Sequence, residues 1–195
     1  MGGSRPCATV ADADIKFPTD LNLLNEARDK LGGIIDTLCG GLKVAKPRTY
    51  RRVARKKSLN VAKKKRKSGK EIRKGIGGQH SYVKRDLRHI DRIAESDPSA
   101  LDPLDKKAYR HLLIVKELYR QQNQMYKERT HSIPNRIASI HQPHIRLIVR
   151  GKEGKNAEFG AKIYVSLQDG YARINQFGFE AFNEGGLLEG TSRSL

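Results

Sequence analysis

The chain is 195 residues long with 37% hydrophobic residues, 6% aromatic residues and no Trp, which suits one domain, or one domain with a long insert, around a modest core. Its 39 Lys and Arg stand against 21 Asp and Glu, a formal charge of +18 with a pI near 10.1; that balance favours nucleic acid or an anionic surface over a small acidic metabolite. Cys7 and Cys39 form no CxxC pair, which argues for a reducing compartment and against a disulfide framework or a structural zinc site.

No run of 18 apolar residues is present to span a membrane. Met1-Gly2-Gly3-Ser4-Arg5-Pro6 has neither the apolar stretch of a signal peptide nor, with Pro6 where Ser or Thr is wanted, the myristoylation pattern. The expected compartment is the cytoplasm.

Along the chain, Thr9-Val10 is too short a fragment to define a strand. Pro18-Thr19-Asp20 reads as a helix start, with a rigid turn residue, an oxygen-bearing cap and an acid at the positive end of the helix dipole. Leu24, Ala27, Leu31, Ile34, Ile35 and Leu38 then recur at helical spacing on one face. Gly32-Gly33 interrupts that face, at about 1 kcal/mol per glycine relative to Ala, and the helix is expected over 20–38, ending before Cys39-Gly40-Gly41.

Residues 46–74 hold 15 Lys or Arg against a single acid, Glu71, and so carry +14 of the whole charge. Like charges this dense repel one another in a folded chain. Neutralisation by phosphate, with release of counterions, offsets that repulsion. The apolar residues here (Val44, Val53, Leu59, Val61) are too sparse to bury a face well, so a helix around Val53, Ala54 and Lys57 is expected once phosphate is bound. Ser68-Gly69 splits the basic insert, taken as 44–78, and Gly75-Ile76-Gly77-Gly78 reads as a hinge closing it.

Val83, Leu87, Ile90 and Ala94 define a second helix stopped by Asp97-Pro98. Leu104, Ala108, Leu112, Val115, Tyr119, Gln122 and Tyr126 define a third, with Asp102-Pro103 at its start. The two form a helical hairpin within 79–131. The period then shortens to two over 136–176. Arg136–Ile140 and Ile145–Arg150 are β-type runs, and 161–167 is the clearest strand, with Ala161, Ile163, Val165 and Leu167 on one side and Lys162, Tyr164 and Ser166 on the other. Gln168-Asp169-Gly170 turns the chain and 171–174 pairs back. Residues 185–195 have no periodicity and form a loose tail.

Few motifs carry chemistry. His141-x-x-His144 has metal-pair spacing, but Pro143 breaks the helical geometry and no third ligand lies near in sequence. His80, His89, His111 and His131, read as helical and beside basic residues, are assigned to solvent or phosphate. The Gly75–Gly78 stretch follows a basic helix and not a strand, so it lacks the context of a nucleotide-binding loop. Asp12 and Asp14, after Thr9-Val10, and Asp169, after the clearest strand, are candidate strand-end carboxylates of the type that holds two Mg²⁺ about 4 Å apart in phosphoryl transfer. Their spacing alone fits loop acids (Asp12, Asp14) and a turn residue (Asp169) better.

Several segments, read as strings, resemble the catalytic core of bacterial insertion-sequence DDE transposases: Ala8-Thr9-Val10 followed by Ala13-Asp14-Ile15-Lys16-Phe17-Pro18-Thr19-Asp20-Leu21-Asn22-Leu23-Leu24-Asn25-Glu26-Ala27-Arg28, then Lys46-Pro47-Arg48-Thr49-Tyr50-Arg51, Glu117-Leu118-Tyr119-Arg120-Gln121-Gln122, Arg129-Thr130-His131-Ser132-Ile133, Ile148-Val149-Arg150-Gly151-Lys152 and Glu158-Phe159-Gly160-Ala161-Lys162-Ile163. The likeness covers residues 7 to 184. It implies an α+β chain: an incomplete ribonuclease-H-like core of three or four antiparallel strands with a large helical, basic insert. It also implies an Mg²⁺-dependent triad of two aspartates and a glutamate that cuts transposon ends and joins them to target DNA.

In that pattern the first aspartate precedes the Ala-Thr pair, where this chain has Cys7. A thiol is a soft ligand that does not replace a carboxylate for Mg²⁺. The other two acids belong to family sequence beyond the point matched by residue 184. The expectation is therefore a truncated transposase, 1–184 with a divergent tail, that has no catalytic residue and no bound metal of its own. It is expected to keep nucleoid-associated binding to duplex DNA through Arg48, Arg51, Arg52, Arg55, Lys63, Lys64, Lys65 and Arg66. Full-length transposase is a second expected partner. A non-enzymatic basic nucleic-acid-binding protein and a regulatory fragment are the alternatives. With Tyr50 the one aromatic of the basic block, base stacking on single strands is disfavoured.

Overall fold

In the computed structural model, residues 5–97, 99–148, 158–168 and 170–180 are described. The elements run β1 (Arg5–Asp12), α1 (Asp20–Gly41), α2 (Arg51–Ala62), α3 (Gly69–Ser96), α4 (Lys106–Glu128), β2 (Arg146–Ile148), β3 (Glu158–Gln168) and β4 (Tyr171–Gly178). Four helices and one four-stranded antiparallel sheet make the chain α+β. They fall into a helical unit of residues 17–143 and a strand unit drawn from residues 1–16 and 144–195.

In the helical unit, α1 starts where its cap predicts: the Thr19 hydroxyl accepts from the Asn22 N–H at 3.3 Å. The apolar face read from the sequence is the buried one, with Leu24, Leu31, Ile35 and Leu38 removed from solvent. Val83, Leu87 and Ile90 of α3 and Leu112, Val115 and Leu118 of α4 complete that core. Each such side chain contributes about 1.5–3 kcal/mol on burial. Gly32-Gly33 does not end the helix, which continues to Gly41 instead of stopping before Cys39. Cys39 is a free, buried thiol.

The expected hinge at 75–78 is instead the interior of α3, which begins at a capping box: Glu71 N–H donates to the Ser68 hydroxyl and Ser68 N–H to the Glu71 carboxylate, both at 3.2 Å. The glycines serve close helix packing. A Cβ on Gly77 would stand 2.7 Å from the Tyr126 hydroxyl of α4, and one on Gly75 would stand 3.1 Å from Val61 of α2. The third predicted helix begins later than Asp102-Pro103. Asp105 caps α4, its carboxylate accepting from Ala108 N–H at 2.6 Å.

The run 136–140 forms no strand. Ile137, Ala138 and Ile140 are buried, but their backbone is met by a helix side chain: Ile137 N–H donates to Gln121 Oε1 at 2.9 Å, and Gln121 Nε2 donates to Asn135 O at 3.1 Å. An apolar run sealed this way needs no partner strand.

In the strand unit, β3 is central. It pairs antiparallel with β1 on one side and with β2 and β4 on the other, with Thr9 opposite Ile163 and Lys162 opposite Gly178. β1 escaped the sequence reading because only Thr9-Val10 carries strand character within Arg5–Asp12. Gly160 is required where β1 crosses: an added Cβ would lie 2.0 Å from the Ala11 carbonyl oxygen, and Ala13 N–H donates to Phe159 O at 2.7 Å. Tyr164 and Ser166 on one side of β3 and Ala161 on the other are buried, whereas Leu167 is half exposed. The β3–β4 hairpin forms as read, with Gly170 at φ +81° supplying the left-handed turn residue. Asp169 and residues 185–195 lie outside the described residues. No described helix is long and apolar enough to cross a membrane.

Candidate nucleic-acid interface

The basic block folds into α2, the loop 63–68 and the first turns of α3. α2 has no acid in its first turn, and Tyr50 precedes it in a left-handed conformation (φ +54°) with no side-chain cap. Two small residues one turn apart, Ala54 and Ser58, are its buried positions. Gln79 of α3 reaches across to donate to the Ala54 carbonyl at 2.9 Å. Docking through small residues brings the helix close to α3 and leaves Arg52, Arg55, Lys56 and Lys57 turned to solvent.

The eight predicted contacts divide into two groups. Arg51 belongs to the scaffold: its Nη1 donates to Asp36 Oδ2 at 2.5 Å and its Nη2 to the Gly32 carbonyl. Lys46 joins the same carboxylate. The Arg51 hydrogen bond holds the Asp36 carboxyl below its ordinary range, and Asp36 in turn raises the Arg51 guanidinium. Lys64 is paired with Glu71, whose carboxyl is lowered chiefly by that contact. Arg48, Arg52, Arg55, Lys63, Lys65 and Arg66 are exposed, and among the described residues no acid pairs with them.

Two cations outside the predicted eight, Arg85 and Lys57, join them through aromatic rings. Arg48 and Arg85 each set a guanidinium carbon 4.6 Å from the centre of the Tyr50 ring. Arg85 also stands 5.7 Å from the Tyr82 ring, as does Lys57 Nζ. Each such contact is worth about 0.5–1 kcal/mol at an exposed site. Arg73, by contrast, is held against α4, its guanidinium 4.1 Å from the Tyr126 ring and donating to the Tyr126 carbonyl at 3.0 Å.

Buried charges complete the helical unit. Arg28 is 2% exposed and Asp86 fully buried, and neither Asp86 oxygen has a hydrogen-bond partner. Burial pushes the Asp86 carboxyl up to about 6, against the pull of Arg28, Arg51 and Arg85. Burial likewise lowers Arg28, which Asp29 and Asp86 oppose. No spacing rule in the sequence marks this pair.

Of the histidines assigned to solvent or phosphate, His80 departs from that expectation. His80 is buried between Tyr119 and Tyr126, at 5.0 and 5.7 Å, and burial lowers its pKa; it is not a solvent or phosphate contact. His131 lies beyond α4 and is exposed. His141 faces Glu26 at 3.3 Å and the edge of His111 at 5.4 Å, while His144 meets the edge of Phe179 at 4.6 Å. Asp12 ends β1 and Asp14 follows it, both exposed. Among the described residues no group of three or more His, Cys, Asp or Glu is placed to hold a metal ion.

No protein-family model matches the chain, and no curated protein or solved structure was found similar to it.

Proposed function

We propose that this chain is a DNA-binding portion of a DDE-transposase-like core of ribonuclease-H-like fold, and that it holds duplex DNA by phosphate contacts without cutting it. The carrying observation is the uncompensated charge of the helical unit. Arg48, Arg52, Arg55, Lys63, Lys65 and Arg66 stand exposed on α2 and its flanking loops, with no acid among the described residues paired to them. Folded cations held together without counter-charges suit a polyanion whose counterions they displace.

Two observations favour the transposase reading over a generic basic protein. The Ala8–Val10 and Glu158–Ile163 segments, which carry the resemblance, lie far apart in sequence yet belong to strands that pair as neighbours. A helical, basic unit is inserted between them. Cys7, standing where the resemblance wants an aspartate, supports binding without catalysis. Contacts to phosphate give affinity and not sequence readout.

The test is binding to unrelated duplexes across a salt series, with a nicking assay in Mg²⁺ or Mn²⁺ alongside. Six phosphate contacts predict a log K against log salt slope of about −5, similar for every sequence. Absence of binding at low salt, or strand cleavage by this chain alone, overturns the proposal.

A further inference from the structure

Resting on that DNA-binding reading, we infer that Tyr50 is a positioning residue for a phosphate clamp made by Arg48 and Arg85, the latter lying outside the basic block. Three observations converge on it.

First, the two guanidiniums share one ring, each with its central carbon 4.6 Å from the ring centre. They therefore lie within about 9 Å of each other, close enough to repel. Among the described residues neither forms an ion pair, and the carboxylate of Asp86, beside Arg85 in sequence and attracted by it, makes no hydrogen bond. A pair of cations gathered by an aromatic face, with no acid bonded between them, is built for an anion supplied from outside. DNA offers one charge per about 3.4 Å of axis on each strand, so a single phosphate or two neighbours fit the span.

Second, Tyr50 is poorly suited to its backbone position. It caps α2 with φ +54° and gives no side-chain hydrogen bond to the helix. Asn would tolerate the left-handed conformation better and would also cap. What Tyr brings instead is its ring. A left-handed residue kept for its ring and not for a cap suits a functional role.

Third, stacking uses the faces of the guanidiniums and leaves their N–H edges to donate in plane, the geometry suited to phosphate oxygens. Tyr82 continues the row, with Arg85 and Lys57 each 5.7 Å from its ring. The clamp thus draws on the loop before α2, on α2 and on α3. Tyr50, already holding two cations, is not a free platform for bases.

The experiment measures duplex DNA affinity by fluorescence anisotropy over a salt series for the whole chain and for R85Q, R48Q, Y50F, Y50L and the triple variant K63E/K65E/R66E. Loss of one phosphate contact predicts about five-fold weaker binding for R85Q and for R48Q, with the salt slope reduced by about 1. Y50L, with unchanged charge, weakens binding by a similar factor, and Y50F binds like the parent chain. Circular dichroism and Tm separate misfolding from lost contact; if Y50L unfolds, R85Q and R48Q decide. Should the triple variant lose binding while R85Q, R48Q and folded Y50L bind like the parent, the clamp is overturned and the DNA-binding reading stands. Should the parent chain itself fail to bind, that reading falls.

Discussion

Arg51 donates to the Asp36 carboxylate at 2.5 Å and, through its other terminal nitrogen, to the Gly32 carbonyl, tying the first residue of the basic helix to the middle of α1. A Cβ on Gly32 would come within 2.9 Å of Arg51 Nε, so that glycine makes room for the guanidinium. The most basic stretch of the chain is anchored by one of its own cations.

Replacement of Arg51 by Gln therefore acts on the fold. The expected loss is about 1–2 kcal/mol of stability, since both groups are partly solvent-exposed and their attraction is screened. Because Asp36 is held below its ordinary pKa, this contribution is present above about pH 4 and fades as pH falls through the lowered value. Urea unfolding of R51Q at neutral and acid pH checks it. Unchanged stability together with a reduced salt slope for DNA would place Arg51 among the phosphate contacts.

Asp86 acts in the opposite sense. With its carboxyl raised to about 6 in the folded state, the native chain holds a proton between about pH 4 and pH 6 that the unfolded chain has released. Stability from this group is present at the acid end of that window and is lost as pH rises through it, by about 3 kcal/mol at most. Measured by denaturant at each pH, D86N should gain on the parent chain as pH rises from 4 to 6 and keep that gain unchanged above pH 6. A gain by the parent over the same window would mean that the pull of Arg28 outweighs burial.

Two glycines predict opposite outcomes. Gly33 lies on the exposed side of α1 with open space at its Cβ position, so G33A should stabilise the chain by about 0.5–1 kcal/mol. At Gly160 the obstacle is the backbone carbonyl of Ala11, which cannot swing aside, and G160A should cost about 3 kcal/mol or separate β1 from β3. Thermal unfolding of both variants checks the pair; a tolerated G160A would contradict the β1–β3 register.

What the sequence shows well are features set by local physics. The apolar stripe of α1, its Thr19 cap, the break at Ser68-Gly69 and the β3–β4 hairpin follow from spacing and turn chemistry, and the structure has them. Misreadings arise where a distant partner decides. Gly75 and Gly77 look like a hinge until Val61 and Tyr126 are seen against them. Residues 136–140 look like a strand until Gln121 is seen to take the Ile137 N–H. At the candidate interface, charge density marks residues 46–74 but does not distinguish Arg51 and Lys64, held by acids, from Arg52 and Lys65, with which no acid among the described residues pairs. Arg85 is drawn in only because Tyr50 reaches it.

Duplex DNA affinity of the whole chain between about 50 and 200 mM salt tests the DNA-binding reading most directly. The predicted result is a log–log slope of about −5, equal for unrelated sequences and made shallower by the K63E/K65E/R66E variant. A slope near zero, or the same slope in that variant, contradicts it.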